Sequence, residues 1–364
     1  MATDHSRRRV LHGLALTSLL AGAGGCGGGS AGSPSPVVPV RKFKMGFFPT
    51  PSRPEAAVLL KGVDQFSERS ELVHIHEELP WTDLLNGTSA DAILERDKTK
   101  LIEYCRGKGL RLGFMADLTD GLSRADEAPQ LRALGRSIAE PAVLRVYRDY
   151  VLSFVAKFKP DYIGVAAETN LIRALAPATV YASVVEAANL VAADLNAAAV
   201  PAPVFISVQA ETAWGRLGGA GTYVGVERDF TDFPFTAWLG LSSYPYFAYS
   251  QPEDLPADYF TRLLAGRSTP LLVAEGGWAS ASVGTVNSSP DAQARYIARL
   301  GQLLDGAGAK AVIQTLFADI DLASVPPPVP SNLAAFVSLG LVDTAFAAKP
   351  ALAGWDGLFA RPLQ

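Results

Sequence analysis

Histidine is scarce. The chain has four in 364 residues, and two of them, His5 and His12, fall in the first 25. The other two, His74 and His76, sit together in "HIHEELPW", so no Ser-His-Asp triad is readily assembled from separate parts of the chain. Cysteine is scarcer still, with Cys26 and Cys105 alone, which leaves a fold without an internal disulfide. Cys105, in "KLIEYCRGKG" at the end of a helical stretch, is expected to pack rather than react. Positive charge is not in excess: the formal net charge is −4, and nothing points to nucleic acid or an anionic surface as a partner. The Gly-rich "GRLGGAG" (215–221) lacks the strand–GxxxxGK–helix setting of a phosphate cradle and reads as a loop. No cofactor is expected.

Long apolar runs are missing as well. "LALTSLLAGAG" (14–24) is too short to cross a bilayer as a mature helix but suits the core of an export signal. "SRRRVLHG" before it resembles a twin-arginine signal, and "AGGC" resembles a bacterial lipobox, with Ala23 where leucine is commonest. Residues 1–25 are therefore expected to be removed, which takes away three arginines and one aspartate and moves the charge from −4 to −6. Cys26 would then be the lipidated N-terminus of an exported bacterial envelope protein, whose only tie to the membrane is that anchor. Residues 26–42, with "GGGSAGSPSPVVPV", read as a flexible tether stiffened by its prolines.

What the remaining chain has is alternation. Short, almost continuously apolar runs occur at 44–48, 72–76, 111–116, 162–167, 204–209, 238–243, 271–275 and 311–317. Helical patterns lie between them. Val180, Val184, Ala188, Val191 and Leu195 share one helical face. Ser289 and Pro290 open a helix with its stripe at Ala294, Ile297, Leu300 and Leu304, and Gly306 is expected to stop it. Between residues 214 and 237 little helix is visible. Eight β-then-α units in residues 43–364 predict an α/β fold, a single-domain (β/α)8 TIM barrel.

In such a barrel the chemistry gathers at the C-terminal ends of the strands. Two predicted strands end there in the same way: "YIGVAAE" on Glu168 and "LLVAE" on Glu275. Carboxyls on strands 4 and 7 converge across the mouth. Such a pair suits cleavage of a glycosidic bond with retention, one carboxyl giving its proton to the leaving oxygen while the other attacks the anomeric carbon from roughly 5–5.5 Å away.

Glutamates ending strands 4 and 7 resemble those of clan A of the retaining glycoside hydrolases. "AEGGWAS" (274–280) and "LSSYPYF" (241–247) are similar to the strand-7 and strand-6 segments of endo-β-1,4-galactanases and related endoglycanases, and "GLVDTAFAAKPALAGWDGL" resembles the close of secreted members. The resemblance implies a hydrolase that acts from within the chain on a β-linked, galactan-like polysaccharide or oligosaccharide. It makes Glu275 the nucleophile, Glu168 the acid/base and Tyr244 the nucleophile's hydrogen-bond partner. Two departures stand out. Ala167 holds the place where the clan has an asparagine for the sugar 2-hydroxyl, with Thr169, Gln209 and His76 as possible substitutes. Phe317 stands where many members carry a tryptophan floor.

Other residues are candidates by position. His74 and His76, two apart on a strand, point to the same face, inward in a barrel. A His-x-His pair is what metal-dependent amidohydrolase barrels use, but they need further histidines that this chain lacks, so no metal is expected. The readings that remain are a sugar contact by His76 or plain interior hydrogen bonding by both histidines. Gly276 and Gly277 would let a sugar ring near the backbone, and Trp278, Trp81, Trp214 and Tyr246 would line a groove. Gln209 and Glu211 end strand 5, and Glu211 is the rival for a catalytic carboxylate. Glu77, Glu78, Asp319 and Asp321 follow other strands. The competing reading is a non-catalytic carbohydrate-binding barrel lipoprotein, motivated by Ala167 and Phe317. Carbohydrate is the partner in both, and the protein is expected to be a monomer. A two-lobed solute-binding lipoprotein fits the leader but not the eightfold alternation.

Overall fold

Eight strands close into a barrel in the computed structural model, which describes residues 39–218 and 221–364. They are β1 (Lys44–Phe47), β2 (Leu72–Glu78), β3 (Arg111–Asp117), β4 (Tyr162–Gly164), β5 (Val204–Gln209), β6 (Trp238–Ser243), β7 (Leu271–Gly276) and β8 (Ala311–Gln314). Each pairs in parallel with the next, and β8 returns to β1 with Lys44 opposite Ala311. The predicted (β/α)8 architecture is therefore the one observed. The expected export signal, Cys26 and most of the expected tether lie outside the described residues. The last tether positions do not: Arg41 is buried, pairs with Leu363 and forms an ion pair with Glu71 at the foot of the barrel.

Side-chain alternation divides the core in two. Leu72, Met115, Tyr162, Phe205, Leu272 and Ile313 pack inside the barrel. Glycines beside them keep the layers from overfilling. A Cβ on Gly164 would fall 2.4 Å from the Met115 methyl, one on Gly113 equally close to His74 Nδ1, and one on Gly240 2.7 Å from the Phe205 ring. The outer layer sits between strands and helices. Helix Pro141–Phe158 buries Val143, Tyr147, Val151 and Phe154 along one stripe, and the Phe154 ring stacks on Phe114 of β3 at 3.7 Å between centroids. Helix Ala178–Ala197 is long and apolar enough to cross a membrane by composition alone, but it buries Val184, Ala188, Val191 and Leu195 as the sequence pattern predicts.

Helix Pro290–Ala307 begins as read, with the Ser289 side chain accepting from Ala292 N and Pro290 in the first turn. It ends two residues later than expected, because Gly308 rather than Gly306 takes the left-handed cap position. Among the described residues, two short helices, Ala210–Ala213 and Glu227–Asp232, separate β5 from β6. Cys105 is buried, and burial pushes its thiol up to about 12, in keeping with a packing role.

Candidate active site

Glu168 reaches the mouth because β4 stops early. After Gly164 the backbone still bonds to β5, from Val165 N to Phe205 O and from Ser207 N to Ala166 O, both at 3.0 Å, but it leaves strand geometry. Glu168 itself lies in the left-handed region at φ 49°, a conformation that costs a non-glycine residue of order 1 kcal/mol. Its amide donates to Ser207 Oγ at 3.0 Å, and its carbonyl opens helix Thr169–Leu175.

Glu275 arrives by a different device. The register of β6 with β7 pairs Leu241 with Val273 but Ser242 with Glu275, so Ala274 is an extra residue in β7. Leu272 and Ala274 already face the barrel interior. Strict alternation would then send Glu275 outward against the helices; the bulge turns it into the mouth instead. Both glutamates end 7% exposed.

One charged network joins them. Arg124 Nε donates to Glu168 Oε2 at 2.6 Å, and its Nη1 meets both oxygens of Asp117 at 2.6 Å. His76 Nε2 lies 3.2 Å from Asp117 Oδ2, and its Nδ1 lies 3.7 Å from Glu275 Oε2. Tyr244 OH donates to Glu275 Oε2 at 3.2 Å and shares a 2.8 Å bond with Thr315 Oγ1, which also accepts from Gly276 N at 2.9 Å. Ser242 donates to the other oxygen of Glu168. Glu275 Oε1 and His76 Nδ1 have no hydrogen-bond partner among the described residues.

The electrostatics follow from these contacts. Burial would raise the Asp117 carboxyl, but Arg124 and His76 outweigh it and hold it well below the ordinary range. Burial would lower the His76 imidazole, yet the carboxylates of Glu275 and Asp117 raise it. Glu275 is pushed up by burial and by the charge of Glu168, against the opposing pull of His76 and Arg124. His74, buried deeper and facing His76, is pushed down to about 3 and stays neutral.

Of the residues expected around the pair, the structure brings His76 and Tyr244 to it and moves the rest away. Trp81 is fully buried in helix Trp81–Leu85. Trp278 is buried too, packed between Tyr246 and Tyr296, with its Nε1 donating to Ser288 Oγ at 2.9 Å. Tyr246 is buried and donates to Ala335 O at 3.0 Å. None of these three rings offers a face to a sugar. Trp214 is half-buried and borders a cleft of about 630 Å³, but its ring stacks on Tyr259 and lies under Arg262.

Gln209 and Glu211 are corrected as well. Gln209 caps helix Ala210–Ala213 through Thr212 N at 2.8 Å. Glu211 is wholly buried, bonded to Gln209, Tyr259 and the amide of Tyr244, and burial pushes its carboxyl up to about 7 despite those donors. It supports Tyr244 from behind rather than facing a ligand. Thr169 and Asn170 are likewise spent, on Asp229 at 2.8 Å and on the backbone of Gln209. Among the substitutes for the missing asparagine, His76 alone stands in the mouth.

The paired glycines have an internal cause. A Cβ on Gly276 would meet Ser243 O at 2.4 Å, and one on Gly277 would meet Gln314 Nε2 at 2.7 Å. Phe317 belongs to the outer layer with Phe47 and Phe66, so it is no replacement floor. Glu77 turns outward to Tyr150, Asp319 holds Lys349, and Asp321 caps its own turn. Glu78 stays at the edge, where burial pushes it up to about 7.

Asp117, Arg124, Ser242 and Thr315 were not anticipated. Asp117 gave a signal of the same kind as the glutamates, an acid directly after an apolar run. Arg124 gave none. Two partly exposed rings border residues of the network: Phe48, 5.4 Å from His76, and Phe336, 5.2 Å from Tyr244.

No family model matches the chain, and no curated protein matches it. Solved structures do. The exo-beta-1,4-mannosidase Op5Man5 from Opitutaceae bacterium strain TAV5 superposes with a TM-score of 0.64 at 17% identity, covering 91% of this chain and 61% of that one. The chain thus spans about three-fifths of that mannosidase. A GH5_18 protein from Bifidobacterium longum subsp. infantis gives 0.61 at 15% identity over 89% and 80% of the two chains. Native xylanase 10B from Thermotoga maritima gives 0.57 at 14%, over 87% and 95%. At these identities the likeness establishes the shared barrel fold.

Proposed function

We propose that this protein hydrolyses β-glycosidic bonds with retention, using Glu168 and Glu275 as its two carboxyls. The observation that carries the reading is their common placement: two buried glutamates at the ends of β4 and β7, tied into one network at the barrel mouth. A retaining glycosidase needs one carboxyl ionised and one protonated at the same pH. A cluster that mixes three carboxyls with one guanidinium and one imidazole is suited to that division. The glycosidases that share the fold are consistent with this reading and leave the sugar open, since a mannosidase and a xylanase are both among them. Galactan as substrate and cleavage within the chain come from the sequence resemblance alone.

The test is reducing-sugar release from galactan, mannan, xylan and mixed-linkage glucan by the wild type, Glu168→Ala and Glu275→Ala. Release by the wild type that both substitutions abolish supports the pair and names the substrate class. Undiminished release by either variant removes that residue from the mechanism. A specific observation also favours a second reading, a carbohydrate-binding barrel without turnover: both oxygens of Glu168 are engaged by donors, and Ala167 leaves the sugar 2-hydroxyl without its usual partner. Saccharide binding without release by the wild type would support it.

A further inference from the structure

We propose that His76 holds the sugar hydroxyl next to the anomeric carbon, through Nδ1, and so supplies the donor that Ala167 lacks. The assignment rests on the glycosidase reading above, with Glu275 as the attacking carboxyl, and adds a residue that grips the substrate beside the bond to be cut.

Two unpaired atoms face each other at the mouth. His76 Nδ1 and Glu275 Oε1 are both enclosed, and neither has a partner among the described residues. Nδ1 lies 3.7 Å from Oε2 of the same carboxyl, too far for a hydrogen bond. Native folds seldom leave buried polar atoms unpaired, so two of them on facing side chains mark a place kept for a small polar group. A hydroxyl suits it, since its oxygen accepts while its hydrogen donates.

The charge on the ring fits that role. Nε2 faces Asp117 Oδ2 at 3.2 Å and so carries a hydrogen, which leaves Nδ1 bare in the neutral ring and a donor in the charged one. Glu275 and Asp117 favour the charged ring against burial and the Arg124 guanidinium. His74, its other ionisable neighbour at 6.3 Å, stays neutral.

The anomeric carbon has two ring neighbours, and only one can use this donor. Oε2 of Glu275 accepts from Tyr244 at 3.2 Å, which leaves Oε1 to attack. Oε2 and the imidazole beside it then lie next to a ring neighbour of that carbon. The ring oxygen gains positive charge in the transition state and would be repelled by a cation. The other neighbour carries the 2-hydroxyl, which can accept from Nδ1 and donate to Oε2. Other donors are engaged elsewhere: Thr169 on Asp229, Asn170 on Gln209, and Arg124 on Asp117 and Glu168. Ala167 is buried in the inner layer with only a methyl.

Two substitutions separate the ring nitrogens. The amide nitrogen of asparagine falls where Nδ1 is, and that of glutamine where Nε2 is. The test compares 4-nitrophenyl β-glycosides of mono- and disaccharides with their 2-deoxy counterparts. Loss of the 2-hydroxyl should lower kcat/KM of the wild type by ~100-fold or more. His76→Asn should keep a ratio above about 20, while in His76→Gln the ratio should fall below about 5. Each ratio is taken within one protein, so a loss of folded enzyme cancels. The reverse order would tie His76 to Asp117 alone and overturn the assignment, as would equal ratios in all three proteins. A wild-type ratio below about 5 overturns it as well, and in all these cases release of nitrophenol leaves the glycosidase reading intact. A wild type inactive on every glycoside and polysaccharide overturns both. The wild type gives a second readout, because four histidines leave few imidazole nitrogen signals to assign. The His76 Nδ1 signal should move with an iminosugar of the accepted sugar and not with its 2-deoxy form; equal responses overturn the assignment.

Discussion

Arg124 and Glu168 form a buried ion pair, Nε to Oε2 at 2.6 Å, that joins the loop after β3 to the end of β4. Arg124 is 2% exposed and grips Asp117 with the same guanidinium, so the pair is a hinge of the whole mouth rather than a surface contact. Like Glu168, it sits in the left-handed region, at φ 57°. Two such residues facing each other place backbone strain where the proposed chemistry is.

Arg124→Met leaves two buried carboxylates without their cation. The expected cost is about 3–5 kcal/mol of stability near neutral pH, read from urea unfolding. Arg124→Lys keeps a charge but not the planar fork, and should fall between the two. The pH sign follows from Asp117. Its folded carboxyl is held below the unfolded value of about 3.9 by Arg124 and His76 against burial, so its stabilisation is present above that value and lost as pH falls through the folded one. The deficit of Arg124→Met should therefore be largest at neutral pH and shrink in acid. A deficit independent of pH would mean that the guanidinium contributes packing alone.

Glu211 gives the opposite slope. Burial raises its folded carboxyl to about 7, so the folded state keeps a proton that the unfolded state sheds above about pH 4.3. Stability from this group is full below the unfolded value and declines as pH rises toward about 7. Glu211→Gln removes the decline. Between about pH 4 and pH 8 the variant should gain on the wild type by up to about 3 kcal/mol, and parallel unfolding curves would contradict the burial argument.

The aromatic residues separate into two groups with different expected behaviour. Phe48 and Phe336 border His76 and Tyr244 and are partly exposed, so Phe48→Ala and Phe336→Ala should raise KM for a hydrolysed saccharide by ~5–30-fold, as for lost stacking of about 1–2 kcal/mol. Trp81→Phe and Trp278→Phe should lower stability and leave KM unchanged, since both indoles are enclosed. A KM change confined to the tryptophans would restore the groove that the sequence suggested.

The strands were legible because burial on both faces writes continuous apolar runs, and all eight runs begin where the observed strands begin and end within three residues of them. Glu168 and Glu275 were legible because a charge is conspicuous at the end of such a run. The bulge at Ala274 was not, although it decides which way Glu275 points, because register is a property of two strands and not of one. Arg124 was hidden for a similar reason. A loop arginine has no periodicity, and its partners, seven and 44 residues away, meet it only in the folded barrel. The tryptophans misled in the other direction, since the apolar surface that would suit a sugar is also what favours burial against neighbouring helices. Gly276 and Gly277 invited a ligand in sequence, while in the fold they make room for Ser243 and Gln314.

The most direct measurement is covalent capture. The protein would be incubated with a panel of dinitrophenyl 2-deoxy-2-fluoro-β-glycosides, which form the glycosyl-enzyme and release it slowly, and then read by intact and peptide mass spectrometry. The expected result is the mass of one fluoroglycosyl group, carried by a peptide that contains Glu275 or Glu168 and absent when that residue is replaced by alanine. An adduct on any other residue would remove the pair from the chemistry. No adduct with any sugar, together with no release from any polysaccharide, would contradict the catalytic account.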